Sequence, residues 1–151
     1  MARFEIEGMK ELEKMIKELG NLPQRVVTPA ARKGMTIALK AARNNAPEDS
    51  GDLKKAIILK GEKSRLRGKK IYQVTLDPAM NDVFVKESAD GKRSYYPASQ
   101  EYGYLTKDGG YVPGFRFMKR ALEENVGAIE KTIVETMSKE IDKVMRRGGA
   151  R

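Results

Sequence analysis

The chain contains no cysteine and no histidine. Without cysteine it forms no disulfide, holds no thiolate-bound metal and offers no thiol nucleophile, in keeping with a reducing compartment. Without histidine it lacks the commonest general base and metal ligand. These two absences remove most enzyme classes and leave only carboxylates, lysine or tyrosine as acid and base, or a hard cation held by oxygen. There is no run of about 18 apolar residues of the kind that spans a membrane. The opening Met-Ala-Arg-Phe-Glu-Ile-Glu has no apolar core of a secretory signal. The expectation is a non-enzymatic protein without cofactor or metal, made and kept inside the cell.

What the chain has in abundance is charge. Charged residues make up 34% of its 151 positions, and the net charge is +9, against a usual charged share of about a quarter. The excess is uneven. Pro23 to Pro47 carries five basic residues and no acid, and Lys60 to Lys70 carries six against Glu62 alone. Lys60, Lys63, Arg65, Arg67, Lys69 and Lys70 therefore make a candidate basic loop facing DNA or an acidic partner surface. The bland reading of such a run is a solvated loop.

Length suits one domain, 1–151, with an α+β fold. Phe4 and Ile6 alternate with charged neighbours as a short strand, and Gly8 hands over to a helix bearing Met9, Leu12, Met15, Ile16 and Leu19 at helical spacing. Gly20 and Asn21 are read as its end, with a second helix opening at Pro23 and presenting Val27, Ala31, Met35, Ala38 and Ala42. Pro29 implies a kink there, or a fresh start capped by Thr28. Pro47 stops this helix, and Pro47, Ser50, Gly51 and Leu53 form a structural hinge into the strands. Asp49 or Ser50 is the expected cap. Ala56 to Leu59, Ile71 to Leu76, Val83 to Val85 and part of Tyr95 to Tyr104 read as strands of one small antiparallel sheet. That sheet packs on two N-terminal helices and one long C-terminal helix. Long loops fall at about 60–70 and 86–112, with Asp90-Gly91 and Asp108-Gly109-Gly110 at turn tips. One last helix is expected from about Phe115 to Arg146, closed by Gly148 and Gly149.

Three groups of side chains invite sharper readings. Glu48, Asp49 and Asp52 resemble a cation cluster but lack the spacing of a binding loop, which favours helix capping. Ser50 has no histidine to activate it and no Ser-x-x-Lys spacing, which favours turn chemistry. Tyr95, Tyr96, Tyr102, Tyr104 and Tyr111 lie near Lys92, Arg93 and Lys107, a pattern that could stack on single-stranded nucleic acid but is typical of protein interfaces, which are the favoured reading.

Glu5-Ile6-Glu7-Gly8-Met9-Lys10-Glu11-Leu12, Ala46-Pro47-Glu48-Asp49-Ser50-Gly51-Asp52-Leu53 with Ala56-Ile57, and Glu101-Tyr102-Gly103 followed by Pro113, Phe117, Met118 and Ala121-Leu122-Glu123 occur in this order. Together they resemble the tail-component family of long-tailed phages. That family is often named after gene product ten of a lambda-like phage and is also described as tail-completion or head–tail joining protein. The chain departs from the family pattern at Ser50, where threonine is commoner, and at Pro113-Gly114-Phe115-Arg116-Phe117, where proline and phenylalanine usually adjoin. The resemblance implies a structural virion protein of a phage or prophage. It would assemble in the host bacterial cytoplasm as a homo-oligomeric ring, sixfold, at the head-proximal end of the tail, among other neck and tail proteins and with non-specific contact to DNA in the lumen. Tyr96, Glu101, Tyr102, Gly103, Pro113 and Phe117 are then candidate subunit or partner contacts. The alternative from another class is a basic nucleic-acid-binding module without catalysis.

Overall fold

A single helix, α1 (Met9–Asn45), runs through the whole N-terminal third in a computed structural model described for residues 9–148. Within α1, side chains other than Gly20 are described from Gln24 onward, and the last described side chain is Arg147. The expected strand at Phe4 and Ile6, the motif residues Glu5 to Gly8, the side-chain stripe from Met9 to Leu19 and the stop at Gly149 lie outside the described residues.

The expected break at Gly20-Asn21 is absent: the two expected helices are one of 37 residues, about 55 Å long at 1.5 Å per residue. Pro23 and Pro29 each remove one hydrogen bond from the helical ladder. They are tolerated because a buried stripe, Val26, Ala30, Gly34, Ala38 and Ala42, continues past Pro29. Four-residue steps form one of the ridges by which helices interlock. The stripe coincides with the expected one at Ala38 and Ala42 but lies one residue earlier before them, leaving Val27, Ala31 and Met35 half-buried. Its pivot is Gly34, which a reading of apolar residues alone passes over. A Cβ there would sit 2.6 Å from Ile133 Cγ1, so the bare backbone is what lets the opposing helix approach. Thr28 caps no fresh start; its hydroxyl accepts from Gln24 at 3.0 Å.

After Asn45 come a short helix, α2 (Asp52–Ala56), and an antiparallel pair, β1 (Ile57–Gly61) and β2 (Tyr72–Leu76), with Ile57 opposite Leu76 and Gly61 opposite Tyr72. Arg43 ties this pair to α1: its Nε and Nη2 donate to the Ile57 carbonyl at 3.0 and 2.8 Å. A 3-10 turn over Pro78–Met80 leads into α3 (Asn81–Phe84) and β3 (Val85–Glu87), which pairs with β4 (Arg93–Tyr95). Helix α4 (Tyr96–Tyr102) precedes a hairpin of β5 (Gly103–Leu105) and β6 (Tyr111–Pro113), and then α5 (Phe117–Glu123) and α6 (Val126–Gly148) close the fold.

The class is α+β, as the sequence implies, but the described strands form three separate two-stranded hairpins rather than one sheet. Val83 lies in α3, and of the stretch Tyr95 to Tyr104, expected to hold a strand, only Tyr95 in β4 and Gly103 and Tyr104 in β5 are extended, while Tyr96 to Tyr102 is helical. Pro97 near the helix start presets the backbone angle, and Ala98, Gln100 and Glu101 are good helix formers. The loop expected at 86–112 is thus two hairpins joined by a helix. Both expected turn tips occur: Gly91 and Gly109 adopt positive φ of 72° and 81°.

The expected single last helix breaks at Glu124-Asn125. In an unbroken helix the Ala121 carbonyl would accept from the residue 125 amide. Here the Asn125 side chain donates to it at 2.9 Å, while the Asn125 amide turns to Leu122 at 3.2 Å. The helix then restarts and packs along α1.

The core gathers Ala42, Ala46, Leu53, Ala56, Ile57, Phe84, Phe117 and Ala121, flanked by Leu39, Val74, Leu76, Tyr95 and Met118. Phe117 and Ile57 are its largest fully buried side chains, each contributing about 1.5–3 kcal/mol by burial. Among the described residues no helix is long and apolar enough to cross a membrane.

Candidate functional site

The hinge works as a corner. Leu53 is buried in the core, Pro47 is half-buried after the last turn of α1, and Gly51 takes φ +79° just before α2. Ser50 is not a helix cap: its hydroxyl donates to Asp52 Oδ2 at 2.7 Å and accepts from the Asp52 amide at 3.3 Å, closing a local turn. Asp49 makes no cap either, since α2 starts without a side-chain cap at Gly51. Glu48 pairs with Lys54, whose hydrogen bond first and charge second hold its carboxyl below the usual glutamate value. Asp52 lies 3.8 Å from Lys55. Among the described residues no three carboxylates gather as a metal site.

Glu101 is buried, at 7% exposure, and its partners explain why that is tolerable. Its Oε2 accepts from the Met118 amide at 2.9 Å and its Oε1 from the Lys119 amide at 3.1 Å. It is therefore the cap of α5, supplied from 17 positions earlier in sequence. Arg116, immediately before α5, is left-handed with φ 50° and offers no side-chain cap of its own. The Glu101 carbonyl also accepts from the Arg116 amide at 3.1 Å, and the Gln100 carbonyl accepts from Phe115 at 2.7 Å. Gly103 has φ +86°, and a Cβ on it would collide with the Val112 carbonyl oxygen. The Tyr111 hydroxyl donates to the Tyr102 carbonyl. These bonds clamp the end of α4, the root of the β5–β6 hairpin and the start of α5 into one junction.

The structure thus divides the six candidate contact residues. Glu101 and Phe117 point inward, Gly103 is half-buried within the junction, and Tyr102 and Pro113 are exposed. Tyr96 is half-buried; burial first and the Asp49 charge second raise its phenol above the usual tyrosine value, and Lys86 Nζ lies 5.8 Å from its ring centre. The tyrosines do not form one platform. Tyr95 meets Phe84 edge-on, with ring centres 6.1 Å apart.

The clamped hairpin displays an apolar surface that individual residue motifs do not announce. Leu105 is 76% exposed and Tyr102 67%, and Tyr104, Tyr111, Val112 and Phe115 are also exposed. Among the described residues β5 pairs only with β6, and neither outer edge of the hairpin is paired. Large apolar residues rarely gather in the open unless they meet a partner. A second exposed apolar line on α6 carries Val134, Ile141 and Met145. The sequence signal for both was available: apolar residues beyond those needed for the inward face.

The basic loop lies at the other end of the β1–β2 pair. Lys60, Lys63, Arg65, Arg67 and Lys69 are exposed, whereas Lys70 is partly buried, donating from Nζ to the Glu62 carbonyl at 2.7 Å and lying 5.2 Å from the Tyr72 ring centre. Comparison with protein-family models, with curated proteins and with solved structures finds no match to this chain.

Proposed function

We propose that the chain is a structural virion subunit of a tailed phage or prophage. It assembles as a homo-oligomeric ring at the head-proximal end of the tail, where it completes the tail and joins it to the head. The observation that carries the assembly half of this reading is the apolar β5–β6 hairpin, clamped at its root by the Glu101 cap and, among the described residues, unpaired along both outer edges. Contacts through such a surface, repeated head to tail between identical copies, close a ring when the rotation closes. The phage half rests on the ordered likeness of the hinge and of the Glu101-Tyr102-Gly103 and Phe117-Met118 segments to the tail-completion family. The other neck and tail proteins are its neighbours in this reading, and the virion neck is its location. Particle images of the purified protein test it: closed rings support it, and a monodisperse monomer at high concentration contradicts it.

The second reading is a basic nucleic-acid-binding module, favoured by the exposed cations between Lys60 and Lys70. In that case binding to duplex DNA would be the whole activity, without assembly.

A further inference from the structure

We propose that the open cleft between the first half of α1 and the β1–β2 connection is a binding site for the phosphodiester backbone of duplex DNA. The cleft has a volume of about 500 Å³ and is lined by Gly20 and Gln24 from α1 and by Lys63, Arg65, Arg67 and Lys70 from the connection. Arg67 runs close over the bare backbone at Gly20, with Nη1 3.8 Å from where a side chain would begin.

The turn that carries these cations is preformed. Ser64 Oγ donates to the Leu66 carbonyl at 3.1 Å and accepts from the Leu66 amide at 3.2 Å, and the Lys69 amide donates to the same carbonyl at 3.4 Å. The one acid of the loop, Glu62, has its carboxylate engaged by the Gln73 side chain. The α1 residues that line the cleft, Gly20 and Gln24, are uncharged, and no acid follows them before the end of the helix, although Glu18 precedes them. Positive potential is therefore concentrated in a surface whose shape is set before any ligand arrives, which favours an anionic polymer.

Two features choose among polymers. None of the described residues that line the cleft is aromatic, so it grips phosphates and does not stack bases. Its lining carries one large apolar side chain, Leu66, against four cations, whereas a protein interface gathers several apolar side chains at its centre; the chain's broader exposed apolar surface sits on the β5–β6 hairpin. The preference for DNA over RNA rests on the reading of the chain as a phage subunit, whereas the assignment of a phosphate-binding cleft does not.

The test is fluorescence anisotropy with a short random-sequence DNA duplex over a salt series. Two triple variants are compared with the wild type: Lys63→Ala/Arg65→Ala/Arg67→Ala in the cleft, and Lys107→Ala/Lys131→Ala/Lys139→Ala at exposed positions outside it. The cleft variant is expected to bind at least tenfold more weakly and to flatten the log–log salt slope by about 2.7, at about 0.9 per lost phosphate contact. The control, with equal loss of charge, keeps the wild-type slope. Equal weakening of both variants overturns the site, as does wild-type binding to poly-glutamate that matches DNA in strength and sensitivity. Tighter binding of duplex RNA overturns the choice of DNA. Circular dichroism of both variants confirms folding. Absence of rings in the wild type, together with the expected DNA result, removes the assembly reading and leaves the cleft standing; rings without DNA binding do the reverse.

Discussion

Both carboxylate oxygens of Glu101 are engaged by amides at the start of α5, and the side chain is shut off from water. Replacing it by alanine leaves the Met118 and Lys119 amides without this acceptor at a partly buried helix start, and hydrogen bonds to a charged group contribute about 1.5–3 kcal/mol. Glu101→Ala is therefore expected to lower unfolding free energy by about 2–3 kcal/mol in urea, with Glu101→Gln losing about half as much. A loss below about 0.5 kcal/mol would show that α5 is capped in another way. Gly34 sets a second requirement. An added methyl gains about 1 kcal/mol in helix propensity but must displace Ile133, and overpacking costs about 1–3 kcal/mol. Gly34→Ala is expected to destabilise, and combining it with Ile133→Ala to cost less than the sum of the two. Strict additivity would mean that these side chains do not meet.

At the level of elements, the hairpin tips and the C-terminal end of α1 were legible in the sequence, because glycine and proline act locally at each. Ala38 and Ala42 were legible as core for the same local reason of spacing. The continuity of α1 through Pro23 and Pro29 was not, since it depends on packing against a helix about a hundred residues away in sequence, through a glycine that carries no hydrophobic signal. The split at Asn125 was equally hidden, because it turns on one amide side chain replacing a backbone donor. Of the candidate site residues, the exposure of Tyr102 and of the basic loop could be read from composition, but the inward turn of Glu101 and Phe117 could not. The pairing of α6 with its surroundings also has a pH signature. Glu140 is held below the ordinary glutamate value of 4.5, first by a hydrogen bond from Lys143 and then by the charges of Lys143, Lys33 and Arg147. Its folded value is depressed, so this contribution is present above about pH 4.5 and is lost as pH falls through the lowered value. The melting temperature is expected to fall less between pH 5 and pH 3 in Glu140→Gln than in the wild type. Parallel curves would show that the Lys143 contact does not persist in solution.

On the scale of the whole molecule, a closed core and an exposed apolar surface stand side by side. Leu53, Ile57, Phe84 and Phe117 close the core where α1, β1, α3 and α5 meet, while the β5–β6 hairpin and the outer line of α6 leave large apolar side chains in the open. The proposed assembly would use both, with the junction at Glu101 fixing the direction in which the hairpin is presented. Assembly through the hairpin is most directly tested by particle images and solution mass of the wild type beside Leu105→Glu, a change at an exposed position that leaves the core untouched. Closed rings for the wild type and a folded monomer for Leu105→Glu are the predicted result. A monomer for both, or rings that persist unchanged in Leu105→Glu, would contradict it.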